Sequence, residues 1–214
     1  MKLTLGPIVS DARGRFAGSV FSSWKGVPVL RRFQAPANPN SADQQEIRAI
    51  FANLTRLYAV QGTLFRAAWT SYATGKKFIA RNAIIARNVA VLQGEADLTN
   101  LVFSPGDSST LPAVSATYTP GVASIVVAVT APTAPTGWTL AKACAVAIKS
   151  GDMGAAITYA NLTPTEGSDA TDPYSITLSG LATVLYRVGT FLEWTAPDGT
   201  TRYSASISGS ATPT

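Results

Sequence analysis

The 214-residue chain contains no histidine. That absence excludes Ser-His-Asp and Cys-His dyads, His-ligated metals and imidazole general bases. A single cysteine, Cys144, allows neither an internal disulfide nor a thiolate metal cluster. Charge is scarce: Asp, Glu, Lys and Arg make up 14% of the chain, against about 25% in ordinary globular proteins. Hydrophobic residues reach 46%, and mean hydropathy is +0.18. So little charge means that the chain either enters a membrane or covers its surface with neighbours.

Long apolar runs are missing as well, which removes the membrane option. No charge occurs between Asp107 and Lys142, but Pro112, Pro120, Pro132 and Pro135 interrupt the stretch. Its apolar core, Ala123 to Ala131, falls far short of the roughly 20 residues that a spanning helix needs. The N-terminal run to Val9 is broken by Gly6 and Pro7, unlike a cleaved secretory signal. The expectation is a soluble protein made in the cytoplasm.

What charge there is lies unevenly. Residues 1–104 hold 13 basic and 5 acidic residues, a net of +8, and residues 105–214 hold 4 and 7, a net of −3, which together give the chain's +5. The change coincides with Ser104-Pro105-Gly106-Asp107-Ser108-Ser109-Thr110-Leu111-Pro112, a linker-like composition. Two domains are therefore expected: a basic docking domain over 1–104, a linker over 105–112 and a β domain over 113–214.

In the first half, Phe16–Phe21 and Val27–Leu30 flank a turn at Lys25-Gly26 and predict a β-hairpin, with Pro28 marking an edge strand. Ser41-Ala42-Asp43-Gln44 is a capping-box arrangement. Behind it, Ile47, Ile50, Phe51, Leu54, Leu57, Tyr58, Leu64, Phe65, Trp69 and Tyr72 recur at helical spacing, predicting a helix over 41–73 with a break or a kink near Gly62. Arg48, Arg56 and Arg66 lie off this stripe. Gly75 ends the helix, and a second is predicted over 76–92.

From residue 113 the period becomes two. Strands are predicted at Val114–Thr119, Ile125–Val129, Leu140–Ile148, Ala156–Ala160, Ser175–Leu178, Tyr186–Trp194 and Thr201–Ile207, the last two joined by the Pro197-Asp198-Gly199-Thr200 turn. Seven strands in about a hundred residues point to an immunoglobulin-like or fibronectin type III sandwich, with a jelly roll as the competing arrangement. Leu181 and Tyr186 are similar to the tyrosine-corner region of fibronectin type III domains. The fold class expected for the whole chain is α+β.

Chemistry is thinly represented. Glu166, Asp169 and Asp172 fall between predicted strands and offer oxygens to a cation, but their spacing is ordinary turn chemistry. Cys144 lies on an apolar strand face, as a buried hydrophobe does. No phosphate-binding glycine loop occurs. The sequence therefore predicts no enzymatic turnover, no cofactor and no bound metal. Docking residues are expected instead at Trp24, Lys25, Arg31 and Arg32 of the hairpin. Ala141, Ala143, Ala145 and Ala147 give one strand a featureless face, expected to be covered by a neighbour at Ala143 and Ala145.

The segment Gly18-Ser19-Val20-Phe21-Ser22-Ser23-Trp24-Lys25-Gly26-Val27-Pro28-Val29-Leu30-Arg31 resembles the opening of a family of phage- and prophage-encoded proteins. It continues in that family's order through Pro36-Ala37-Asn38-Pro39, Gln45, Arg48 and Phe51, then Asn82, Asn88, Ser104-Pro105-Gly106 and Asp198-Gly199 to Tyr203–Ser206. The resemblance implies a phage context and no activity. With the composition, it leads to the expectation of a virion structural protein in capsid decoration, neck, tail or fibre base. Its partners would be other virion proteins or copies of itself, with no membrane. The competing reading is a nucleic-acid-binding protein using the basic half.

Overall fold

Short apolar runs on either side of the Ala17-Gly18 turn and of positions 25 and 26 form three antiparallel strands, β1 (Gly14–Phe16), β2 (Ser19–Trp24) and β3 (Val27–Arg32). The structure, a computed structural model, describes residues 14–24, 27–35, 40–93, 98–107, 111–149 and 165–214. The strand order is β1-β2-β3, so Pro28 does sit on an edge strand, where its missing N–H costs no ladder bond. The chain divides into two compact units, Met1–Asn40 and Ser41–Thr214.

Ser41 opens the second unit. Its Oγ accepts the Gln44 N–H at 3.4 Å and starts helix α1 (Ala42–Val60). Only half of the capping box forms, since Gln44 Oε1 is buried without a partner. The helix breaks at Gln61-Gly62, as the sequence predicts, and α2 (Thr63–Ala73) follows. Gly75, at φ +75°, takes the left-handed position that ends α2. The next helix, α3 (Ala80–Leu92), starts four residues later than expected. Residues 76–78 instead fold back on α2, with Lys76 Nζ 3.1 Å from the centroid of the Tyr72 ring and Phe78 at 5.9 Å from it.

The strands form two antiparallel sheets. One contains β4 (Ser115–Gly121), β5 (Ser124–Thr130) and β8 (Tyr174–Ser179), in the order β4-β5-β8. The other contains β6 (Thr139–Lys149), β7 (Thr165–Asp169), β9 (Tyr186–Thr195), β10 (Thr201–Tyr203) and β11 (Ile207–Ala211). Its order is β10-β9-β6-β7, with β11 also paired to β9. The single strand expected over Thr201–Ile207 is split because Ser204 and Ser206 turn their hydroxyls inward to the Leu192, Phe103 and Ser104 amides. Strand β7 was not expected, and the strand predicted at Ala156–Ala160 lies outside the described residues. The architecture is α+β.

Both faces of β6 are buried, and this decides the layering. Ala143, Ala145 and Ala147 join Val188, Leu192 and Trp194 against Ile125, Val127, Ile176 and Leu178 of the smaller sheet. Cys144, Val146 and Ile148 join Phe191 and Tyr203 against Leu54, Phe65, Trp69 and Ile84 of the helices. Helices, larger sheet and smaller sheet are three successive layers of one unit.

The boundary expected over 105–112 is therefore not where the chain divides. An apolar strand with two buried faces needs a layer on each, so the helices cannot form a separate domain from the strands. The shift in composition marks a change of secondary structure within one core. Pro105 bridges to Ala205, and the Asp107 N–H donates to Tyr203 O at 2.9 Å, which ties this part of the supposed linker to β10.

Candidate functional site

The alanine face expected to meet a neighbour is internal: Ala143 and Ala145 are both 0% exposed. Their small side chains let the two sheets approach, and Gly167 opposite Ala145 serves the same end. A Cβ at Gly167 would lie 2.6 Å from Ile176 Cγ2. The face is covered, but by the chain's own second sheet, so Ala143 and Ala145 are not docking residues.

The three carboxylates Glu166, Asp169 and Asp172 serve separate roles. Glu166, on the helix-facing side of β7, accepts the Leu64 N–H at 2.9 Å and the Phe65 N–H at 3.1 Å. It caps α2 from another element, at a helix start whose own N-cap residue, Gly62, has no side chain to do so. A Cβ on Gly62 would lie 2.3 Å from Glu166 Oε2, so glycine is what lets the carboxylate in. Asp169 accepts the Thr171 and Ser175 amides, and these bonds hold its carboxyl below the usual range. Asp172 projects from the same turn into solvent. Among the described residues no group of three His, Cys, Asp or Glu side chains is placed to hold a metal ion.

Asp107 is a half-buried carboxyl. Its Oδ2 accepts from the Ser71 hydroxyl and from the Tyr203 N–H at 2.9 Å, while Oδ1 is buried without a partner. Burial pushes its pKa up, against the pull of those bonds and of Arg202 and Lys76. Asp107 lines an open cleft with Trp138, Pro197, Asp198 and Arg202. Nearby, Glu193 Oε2 accepts the Tyr203 hydroxyl at 3.0 Å and pairs with Lys142 at 3.2 Å. Burial, then Glu193, push the Cys144 thiol up to about 12, so it stays protonated and is no nucleophile. Asn88 is 0% exposed, and its amide bonds both N–H and C=O of Val102 as well as Ile84 O, a structural bolt.

The N-terminal unit keeps its expected basic character. Arg31 and Arg32 are exposed on β3. Arg31 and Arg15 both stand opposite Val20 and share one face of the sheet, and the Arg15 guanidinium lies 3.8 Å from the centroid of the Phe33 ring. Trp24 ends β2, and Lys25 lies outside the described residues. Gly18 faces open space: a Cβ there would meet nothing within 4 Å.

A second basic feature was not foreseen as a site. A groove of about 380 Å3 is lined by Thr55, Tyr58, Ala59, Arg66, Ile79, Ala80 and Arg81. Arg66 is held in place by the last carbonyls of α1, donating to Tyr58 O at 3.1 Å and to Ala59 O. Arg81 is exposed on the first turn of α3, and Ile79 is 57% exposed beside it. The off-stripe position of Arg66 was visible in the sequence; its meeting with Arg81, fifteen residues away on another helix, was not. Among the described residues no helix is long and apolar enough to cross a membrane. No family model, curated protein or solved structure matches the chain.

Proposed function

We propose that the chain is a structural component of a phage virion that docks through its basic N-terminal unit. The observation that carries this reading is that no described side chain between residues 14 and 35 is buried. A three-stranded sheet whose described side chains form no buried core gains stability by packing on something else, and edge strands with paired exposed arginines suit a carboxylate-bearing protein surface. The resemblance of the same segment to phage-encoded proteins supplies the context. Low total charge supports burial among neighbours.

The second unit, in this reading, contains a fibronectin type III-like sandwich whose outer face is covered by helices. The order β4-β5-β8 corresponds to strands A, B and E of such a domain, and β10-β9-β6-β7 to G, F, C and C′. Tyr186 opens β9 at the corner after β8, and its hydroxyl accepts the Ala182 N–H at 3.1 Å, as a corner tyrosine does. These features support the assignment by analogy of fold.

Deleting residues 1–33 tests the docking role. The truncated chain is expected to remain folded and soluble while losing association with particles, read by mass spectrometry of purified virions. Retained association rejects the hairpin as the anchor. Salt-sensitive binding of duplex DNA by the full chain, lost on the same deletion, would favour the nucleic-acid reading instead.

A further inference from the structure

We propose that the groove between α1 and α3 receives the acidic β7–β8 turn of a second copy, so that copies associate head to tail. This rests on the reading of the chain as a many-copy assembly component and names the partner of its helical layer. The groove offers two guanidiniums over an apolar floor. Arg66 is fixed by α1 carbonyls, so little of its rotamer freedom remains to be lost on binding. Arg81 lines the same cleft, and Tyr58 and Ile79 supply the apolar contact. Residues 41–93 as a whole hold seven basic and two acidic residues.

The complementary surface lies on the same chain, in residues whose net charge is −3. In the turn Asp169-Ala170-Thr171-Asp172-Pro173, the Asp169 carboxylate is spent on backbone amides, and these bonds give the turn its shape. Asp172 is exposed, flanked by the exposed Thr171 and Pro173. The other acidic hairpin tip is less suited, because Asp198 stands beside Arg202 and would bring a like charge to the groove. An acidic turn entering a groove with one fixed and one exposed arginine gains orientation as well as attraction. Groove and turn are different patches, and a contact that uses one from each copy is heterologous and grows as a ring or a filament, whereas a wild-type chain that stops at a dimer, as reciprocal pairing across a twofold would, overturns this arrangement. Duplex nucleic acid would need a run of basic residues spaced along phosphates, and the groove has two at one point.

The test is sedimentation velocity of the full chain over a concentration series reaching about 1 mM, with Arg81→Glu, Asp172→Ala and their equimolar mixture. The wild-type chain is expected to grow beyond a dimer, more strongly at low salt. Each single variant should lose association at least tenfold while keeping the wild-type far-ultraviolet spectrum. The mixture should stop at a 1:1 heterodimer, since one intact groove then meets one intact turn. A wild-type chain that stays monomeric, variants that assemble unchanged, or a mixture that stays monomeric each overturns the proposal. So does an oligo-dT strand that binds the wild type and not Arg81→Glu while self-association is unaffected. Deleting residues 1–33 should leave this association intact, which separates its failure from failure of the docking reading.

Discussion

Replacing Glu166 with alanine should destabilise the second unit through a helix that is far away in sequence. The carboxylate accepts two backbone N–H groups at the start of α2, Leu64 at 2.9 Å and Phe65 at 3.1 Å. Losing a cap costs about 1 kcal/mol, and the loss of negative charge at a helix N-terminus adds ~0.3–1 kcal/mol. Both amides are partly buried, so water restores them incompletely, and a total of about 2 kcal/mol is expected. For a unit of this size that corresponds to a fall in Tm of roughly 4–8 °C. The helix carries Phe65, Ala68 and Trp69, each 0% exposed, so the whole unit should feel the change. Glu166→Gln keeps one acceptor and should lose about half as much.

Gly62→Ala provides the internal control. Its Cβ would lie 2.3 Å from Glu166 Oε2 and displace the carboxylate. Alone it should lower Tm, whereas in the Glu166→Ala background it should cost little, since the atom it strikes is gone. The interaction energy from the double-mutant cycle should exceed about 0.5 kcal/mol. Thermal melts followed by circular dichroism measure all four chains. Additive effects, or a Glu166→Ala chain melting within a degree of wild type, would refute the cap.

Three further outcomes follow from the layering and the buried groups. A fragment beginning at Ser109 would expose Cys144, Val146, Ile148, Phe191 and Tyr203, and it should aggregate or bind a hydrophobic dye; a monomeric, cooperatively melting fragment would show the helices to be dispensable. The Cys144 thiol, at about 12 and buried, should react with a thiol reagent at pH 8 only at the rate of opening or unfolding; prompt labelling of the native chain contradicts its placement. Asp107 is raised above 3.8 by burial, so the native state holds the proton more tightly than the unfolded one. Its contribution is full below 3.8 and is lost as pH rises through the folded value. Asp107→Asn should remove that downward component from a Tm-against-pH profile, and an unchanged profile would refute it. Asp169 and Asp198, held low by turn hydrogen bonds, act in the opposite sense as pH falls through their folded values.

Local signals were enough to read much of the backbone. Ser41 as a cap, the break at Gly62, the end at Gly75 and the Pro28 edge each depend on a residue's own conformational preference or on hydrogen bonds a few positions away. The β4, β5, β6, β8 and β9 strands announce themselves by alternation, and the free, buried Cys144 follows from its place in that pattern. Strand β7 does not. Thr165-Glu166-Gly167-Ser168-Asp169 is polar and contains glycine, and it is extended because β6 needs a partner and Gly167 leaves room for Ile176 and Leu178.

Tertiary structure alone decided what covers what. The alternation in β6 shows two faces, one of alanine and one of Cys144, Val146 and Ile148, but both are apolar and neither names its neighbour. Alanine looks featureless in a sequence; between two closely packed sheets it is the side chain that fits. The same holds for Glu166, whose role depends on an amide pair a hundred residues earlier, and for Arg66 and Arg81, which meet only because α3 packs on both α1 and α2. Composition by itself showed a chain poor in charge and without imidazole, because it depends on no arrangement. The division at residues 40 and 41 depended on where buried contacts end, and neither charge nor turn residues record that.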